Sequence, residues 1–329
     1  MAEILTKDIA EQQKPANQLT FLVYGAGVIG SVYAAYLWEA GFDVTLLARG
    51  QRAETLRKNG IMLENASTGE RTVRRVPVSE HLAPTDVYDV VIVAVRMDQL
   101  AAVLPVIAAN SHIPTVLFML NNPSGIQGLQ QLEAQRVVPG FPGVGGTRQG
   151  EVIRYVLIRQ QRTTLGEVDG RITPRVEQIA AALKQAQFSV ALSRDMQGWL
   201  KTHAVFVSCI TAALASVDGD SVRLGRTRAN VLMMVQAIRE GFRALQALGI
   251  PIAPTNLKVL FTWMPVWFAV SYWQHALQTP VGTLAIAPHT NAARDEMRQV
   301  TLDILKVLQS SSAPIPTFVR LMTFLDIPT

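Results

Sequence analysis

Three glycines, Gly25, Gly27 and Gly30, follow a short apolar run, Phe21–Tyr24, and lead into an amphipathic helical pattern, Ser31–Ala40. Glycines at this spacing between a strand and a helix suit one task, holding a pyrophosphate against main-chain N–H groups. Gly25 permits the tight turn, Gly27 lets the phosphates approach the backbone, and Gly30 lets the helix pack close to the strand. Ala26, Val28 and Ile29 complete the turn, and the free N–H groups and positive dipole end of the helix face the anion. The next apolar run, Val44–Leu47, ends in Ala48-Arg49, with Arg52 close behind. An NAD site usually carries a carboxylate about 20 residues past the glycines. Guanidinium groups stand there instead, and they bind a 2′-phosphate that a carboxylate would repel. The expected cofactor is therefore NADP(H), with Arg49 and Arg52 as its 2′-phosphate ligands.

Other polar residues stand where strands end. Arg96 and Gln99 follow the apolar run Asp89–Val95, and Asn121-Asn122-Pro123-Ser124-Gly125 follows Thr115–Leu120. Ligands of open α/β sheets bind at such carboxyl ends. Either asparagine could equally cap the following helix. Lys201 enters an apolar helical run, Thr202–Leu214, almost free of other charge, where it either snorkels or faces a cleft. Glu296, within Arg294–Arg298, reads by itself as a helix-surface charge, as do Arg57 and Lys58.

The elements that would position these groups alternate through the first half. Strand-like runs and helical patterns such as Gln99–Ala109 imply a doubly wound, mainly parallel α/β sheet of Rossmann type. Gln135–Val138, Glu151–Ile158 and Thr163–Glu167 look like an antiparallel extension closing that domain. From about Asp195 the patterns become helical. Asn230–Leu248 is closed by Gly249 with Pro251 beyond, and Asn291–Leu308 is a second long helix. The expected division is a leader at 1–18, a nucleotide domain at 19–194 and an all-helical substrate and dimerisation domain at 195–329.

The composition narrows the function classes. The chain has 329 residues, 49% of them apolar, with one cysteine, Cys209, and a formal charge of +5. A lone cysteine excludes an intrachain disulfide and fits a reducing compartment, so the expected location is cytoplasmic. The five histidines are scattered and no metal site is expected. No basic block suggests nucleic acid. The first eighteen residues carry Glu3, Lys7, Asp8, Glu11 and Lys14 and read as a loosely ordered leader. The most apolar stretch, Val259–Trp273, is shorter than the roughly 18 residues of a spanning segment and contains Pro265. Its tryptophans, Trp263, Trp267 and Trp273, suggest one aromatic face suited to a core or to a homodimer contact.

From Leu19 onward the chain resembles the ketopantoate (2-dehydropantoate) reductase family. The likeness rests on Gly25/Gly27/Gly30, on Arg49, on a basic-x-x-Gln pattern at Arg96 and Gln99, and on an Asn-x-x-Gly turn at Asn122 and Gly125. It also rests on Leu165–Glu167, on Asp195…Trp199-x-Lys201, and on Glu296 before the segment ending at Pro316. The resemblance implies NADPH-dependent reduction of a 2-oxo acid, with Lys201 as the catalytic proton donor and Glu296 holding a substrate hydroxyl. It implies that Asn122 contacts ribose and substrate, and that Arg96, where the family usually has lysine, contacts phosphate.

The chain departs from the family on the lysine helix. Asparagines usual four and eight residues after the lysine are Val205 and Cys209 here. Ser208 and Thr283 are the remaining polar candidates for the substrate, and Pro123 replaces a glycine. These changes weaken the case for ketopantoate itself and suit a bulkier or less polar carbonyl substrate. An NADP(H)-binding sensor or scaffold without efficient chemistry is the reading from a different class.

Overall fold

The computed structural model describes residues 19–123, 129, 131–158, 161–279, 282–283 and 294–327. The leader at 1–18, Ser124 and Gly125 of the asparagine turn, and the first residues of the helix expected from Asn291 lie outside them.

The nucleotide half begins with β1 (Thr20–Tyr24), α1 (Val28–Glu39), β2 (Asp43–Leu47), α2 (Gly50–Asn59), β3 (Ile61–Asn65), β4 (Arg71–Arg74) and β5 (Val78–Ser79). It continues with β6 (Val90–Val93), α3 (Met97–Ala108), β7 (Thr115–Met119), β8 (Val137–Phe141), β9 (Val144–Gln149) and β10 (Val152–Leu157), then β11 (Thr163–Leu165), α4 (Pro174–Gln185) and β12 (Val190–Leu192). An eight-stranded sheet runs β12-β11-β8-β7-β6-β1-β2-β5. Its strands pair in parallel except β11 with β8. Strands β6 and β7 are buried at every position, as the apolar runs Val90–Val93 and Thr115–Met119 require of strands covered on both faces. The order reverses at β1, with β2 on one side and β6 on the other. Ligands of such sheets bind in the crevice beyond this switch point.

Two expectations need correction. The later strands are not one antiparallel extension: β8 continues the parallel sheet, and β10 joins a separate sheet of order β4-β3-β10-β9. Alternation on β3 and β10 is too short to betray their partners. The helix after the glycines is not amphipathic either. It starts at Val28 and is buried around most of its circumference, from Gly30 through Ala35 and at Leu37. The second sheet packs over the face of α1 turned away from the first, so a helix apolar all round is the physical requirement. Tyr33 and Tyr36 place their hydroxyls on Thr163 Oγ1 at 2.5 Å and on the Tyr155 hydroxyl at 2.6 Å, which satisfies them within this sandwich.

The C-terminal half is helical: α5 (Met196–Ala215), α6 (Ser221–Arg226), α7 (Arg228–Ala247), α8 (Thr255–Lys258), α9 (Val266–Ala276), α10 (Arg294–Gln309) and α11 (Pro316–Met322). Asp195 caps α5, accepting from the Gly198 N–H at 2.7 Å. Gly249, with φ of +74°, ends α7 as its position predicts. Helix α5 is long and apolar enough to span a membrane by composition, but most of it is buried among the other helices. Its core is continuous with α7, α9, α10 and α11. A small cluster of Phe141, Met196, Trp199 and Leu200 joins β8 to α5. The tryptophans do not share a face. Trp273 is buried, whereas Trp263 in a π-helical turn (Val259–Trp263) and Trp267 on α9 are exposed.

A β-carbon at Gly30 would stand 1.9 Å from the Gly25 carbonyl oxygen, while one at Gly27 would meet no atom within 4 Å. Gly30→Ala is therefore expected to lose about 3 kcal/mol of stability through backbone overpacking. Gly27→Ala should stay within about 0.5 kcal/mol of the parent. Denaturant unfolding of the two variants checks the contrast.

Candidate functional site

The carboxyl ends of β1, β2, β6 and β7 collect most of the polar residues singled out from the sequence. Gly25 follows β1 with φ of +116°, and a side chain there would strike the Ala94 carbonyl. Gly27 is the N-cap of α1 in extended conformation with no side-chain cap. The first N–H groups of the helix are thus not claimed by a capping side chain. Ala26, Val28 and Ile29 are half-buried around this opening and Gly30 is buried beneath it. The open space at Gly27, beside a helix start, fits a dinucleotide pyrophosphate.

Arg49 is exposed in the short connection after β2 and is the N-cap residue of α2. Its guanidinium lies 5.7 Å from the centre of the Tyr24 ring and donates to the Tyr24 hydroxyl. Burial raises the Tyr24 hydroxyl above its ordinary pKa, with Arg49 opposing. Arg52 points its Nε at the Ala26 carbonyl, 3.3 Å away, and so sits against the glycine turn. Tyr24 and Ala26 carry the signal for these contacts, which pairwise reading of charges alone does not reveal.

Arg96 is the N-cap of α3, and its backbone N–H donates to Gln99 Oε1 at 3.2 Å. The Arg96 guanidinium meets Asp98 through two bonds, Nε–Oδ1 at 3.0 Å and Nη2–Oδ2 at 2.5 Å. Asp98 was legible in the Arg-x-Asp spacing, and it gives Arg96 an internal anion. Beyond β7, Asn121 and Asn122 are both buried. The Asn121 Oδ1, at the same edge, is shielded from solvent and has no hydrogen-bond partner among the described residues.

The helical half brings Glu296 toward this edge, and α5, which carries Lys201, packs against β8. Lys201 lies in the second turn of α5, between Trp199 and His203 in sequence. Those rings pack on Phe141 of β8 at 5.0 and 4.1 Å. Burial lowers the Lys201 pKa, with the Asp195 carboxylate acting against it. Glu296 lies near the start of α10, where burial raises its pKa. The Arg96 charge lowers it and the Asp98 charge raises it, so Glu296 is close enough to feel both.

Other candidates go elsewhere. Ser208 is buried where α5 crosses α10, its hydroxyl 2.9 Å from that of Thr301. Thr283 donates to the Thr279 carbonyl at 3.3 Å. Val205 and Cys209 are wholly buried in the helical core. Val205 abuts Gly241 of α7, the glycine admitting its branched side chain. Burial pushes the Cys209 thiol well up, leaving it inert. These two residues serve helix packing here, not an open substrate wall. Among the described residues no cluster of metal-ligating side chains occurs.

The sheet order, the glycine turn and the helical second half define a Rossmann-type α/β protein. Residues 21–170 match the family model for ketopantoate reductase PanE/ApbA. A 2-dehydropantoate 2-reductase of Archaeoglobus fulgidus is 26% identical over 204 residues, covering 61% of this chain and 66% of that protein. The structure of a 2-dehydropantoate 2-reductase from Geobacter metallireducens superposes with a TM-score of 0.75 at 16% identity, over 94% of this chain and 99% of that one. D-mandelate dehydrogenase, solved with NADH and anilino(oxo)acetate, gives 0.74 at 14% identity, over 94% and 97%. Over residues 21–170 the chain is thus similar to the ketopantoate reductase family, whose members are oxidoreductases acting on CH–OH/C=O groups.

The Glu296 carboxyl gives a test by stability. Its pKa is raised in the folded state, so ionising it costs stability, fully above that raised pKa and not at all below the unfolded value. Glu296→Gln should therefore melt higher than the parent at about pH 7.5, and the difference should vanish toward about pH 4. Thermal melts across that range check both the sign and the window.

Proposed function

We propose that the chain is an NADP(H)-dependent reductase of a 2-oxo acid, either 2-dehydropantoate or a related compound. The observation that carries this reading is the pair Arg49, just beyond β2 beside Tyr24, and Arg52, in the first turn of α2 against the glycine turn, where an NAD-binding protein of this fold usually places a carboxylate. The glycine turn and Arg96 would hold the pyrophosphate, Arg49 and Arg52 the 2′-phosphate, and Asn122 the ribose on the nicotinamide side, with Gln99 also lining the cofactor. When bound, the cofactor supplies the hydride that goes to the carbonyl carbon.

The chain's own residues do the rest. The Lys201 ammonium donates a hydrogen bond to the ketone oxygen and passes a proton to the alkoxide as it forms. It is left neutral and regains a proton from solvent. Its lowered pKa eases that transfer. Glu296 accepts a bond from a substrate hydroxyl. The division at 19–194 and 195–329 then places cofactor groups in one half and Lys201 and Glu296 in the other. A related 2-oxo acid, rather than 2-dehydropantoate, is favoured by Val205 and Cys209, since neither supplies the amide usual in the family.

Loss of NADPH absorbance with 2-dehydropantoate, and then with a panel of aliphatic and aromatic 2-oxo acids, tests the reading. Turnover of none of them, with NADPH still bound, would leave a binding protein instead. Lys201→Ala should retain NADPH affinity and lose about 10²–10⁴ in kcat. In the parent, the rate of reduction should fall as pH rises through the lysine's lowered pKa, and this limb should be absent in Lys201→Ala. Arg49→Glu should weaken NADPH far more than NADH in a direct binding titration; equal weakening rules out the 2′-phosphate role.

A further inference from the structure

The tip of the β9–β10 hairpin reaches the corner where the adenosine end of the cofactor would lie. It turns at Gly150, with φ of +59°, and carries Arg148 and Glu151 on either side. Arg52 Nη1 pairs with Glu151 Oε2 at 3.1 Å. Arg52 Nη2 is shielded from solvent and has no hydrogen-bond partner. Burial and the nearby Arg148 charge both lower the Arg52 pKa, and Glu151 opposes them. With Arg49 beside Tyr24, three arginines and one carboxylate surround the mouth of the glycine turn.

A guanidinium has five donors and forms its strongest bonds in pairs to one anion. Arg52 uses Nε on the Ala26 carbonyl and Nη1 on Glu151, and one donor group remains unmet. The corner has room in its charge balance for a second anion, and the single carboxylate stands in that anion's way. Glu151 is half-exposed on a hairpin tip, so it can leave without disturbing the core.

We propose that Glu151 is a specificity-determining counter-ion. It holds Arg52 while no 2′-phosphate is present and yields it when that phosphate binds, and in doing so it limits the preference for NADP(H) over NAD(H). This rests on the NADP(H) reading above. A 2′-phosphate must displace the carboxylate and then sit near it, while a 2′-hydroxyl does neither. The pair therefore subtracts from NADPH affinity and leaves NADH affinity alone.

The test is fluorescence titration of the full chain with NADPH and with NADH at low salt. Glu151→Gln should tighten NADPH by about threefold to fivefold, as expected for loss of one partly exposed ion pair. NADH binding should stay within about twofold. In an Arg52→Gln background the same substitution should no longer affect NADPH. Arg148→Gln, at the same tip, should weaken NADPH and not NADH, giving a second readout on a separate side chain. If Glu151→Gln leaves the NADPH to NADH ratio unchanged while Arg49→Glu shifts it, the counter-ion role is overturned and the NADP(H) reading stands. If the Glu151→Gln effect persists in full without Arg52, general charge is responsible and the proposal also fails. If Arg49→Glu weakens both cofactors equally, both readings fall together.

Discussion

Gly30 cannot carry a side chain, because the Gly25 carbonyl occupies the place of its β-carbon. That contact brings α1 down onto β1 and aims the start of the helix at the crevice beside the switch point. Everything functional is arranged around it. The helix start supplies N–H groups, β2 and β6 deliver Arg49 and Arg96 to the same edge, and Gly25 is itself pinned by the Ala94 carbonyl at the end of β6. A helix pressed so closely to one sheet leaves its other side apolar as well. The second sheet, β4-β3-β10-β9, covers that side. Its hairpin then places Glu151 and Arg148 next to Arg52, so a packing requirement of α1 ends by setting the charge beside the glycine turn.

The glycine turn, the parallel strands and the long helix α7 were legible because their signals are local. Spacing, an unbroken apolar run and a terminal glycine each fix an element without reference to anything distant. The second sheet was not legible for the opposite reason. Strand β10 pairs in parallel with β3, about ninety residues earlier, and strands of four to six residues carry no mark of their partner. The error over α1 follows from that one, since a helix is expected to show a polar face only if one side meets water.

The site divides in the same way. Arg49, Arg96 and the asparagines could be placed at strand ends from sequence because the fold rule is general. Asp98 is two residues from Arg96, but Tyr24 and Glu151 meet Arg49 and Arg52 only through chain reversals and side-chain reach. Val205 and Cys209 show the limit of reading a helix face by spacing. On an isolated helix they follow Lys201 along one side. In the packed bundle α7 passes at Gly241 close enough to claim that side for the core. Their apolar character is then a requirement of helix contact, and it bears on substrate only through the amides they replace.

Lys201 and Glu296 are displaced by the same cause in opposite directions. Burial lowers the ammonium's pKa and raises the carboxyl's, so both groups move toward the neutral range where proton transfer is efficient. Each is opposed by one neighbour, Asp195 for the lysine and Arg96 for the glutamate, and these neighbours differ in where they come from. Asp195 belongs to the cap of the lysine's own helix, so the lysine's environment is fixed within the helical half. Arg96 belongs to the nucleotide half, so the state of Glu296 depends on how the two halves meet.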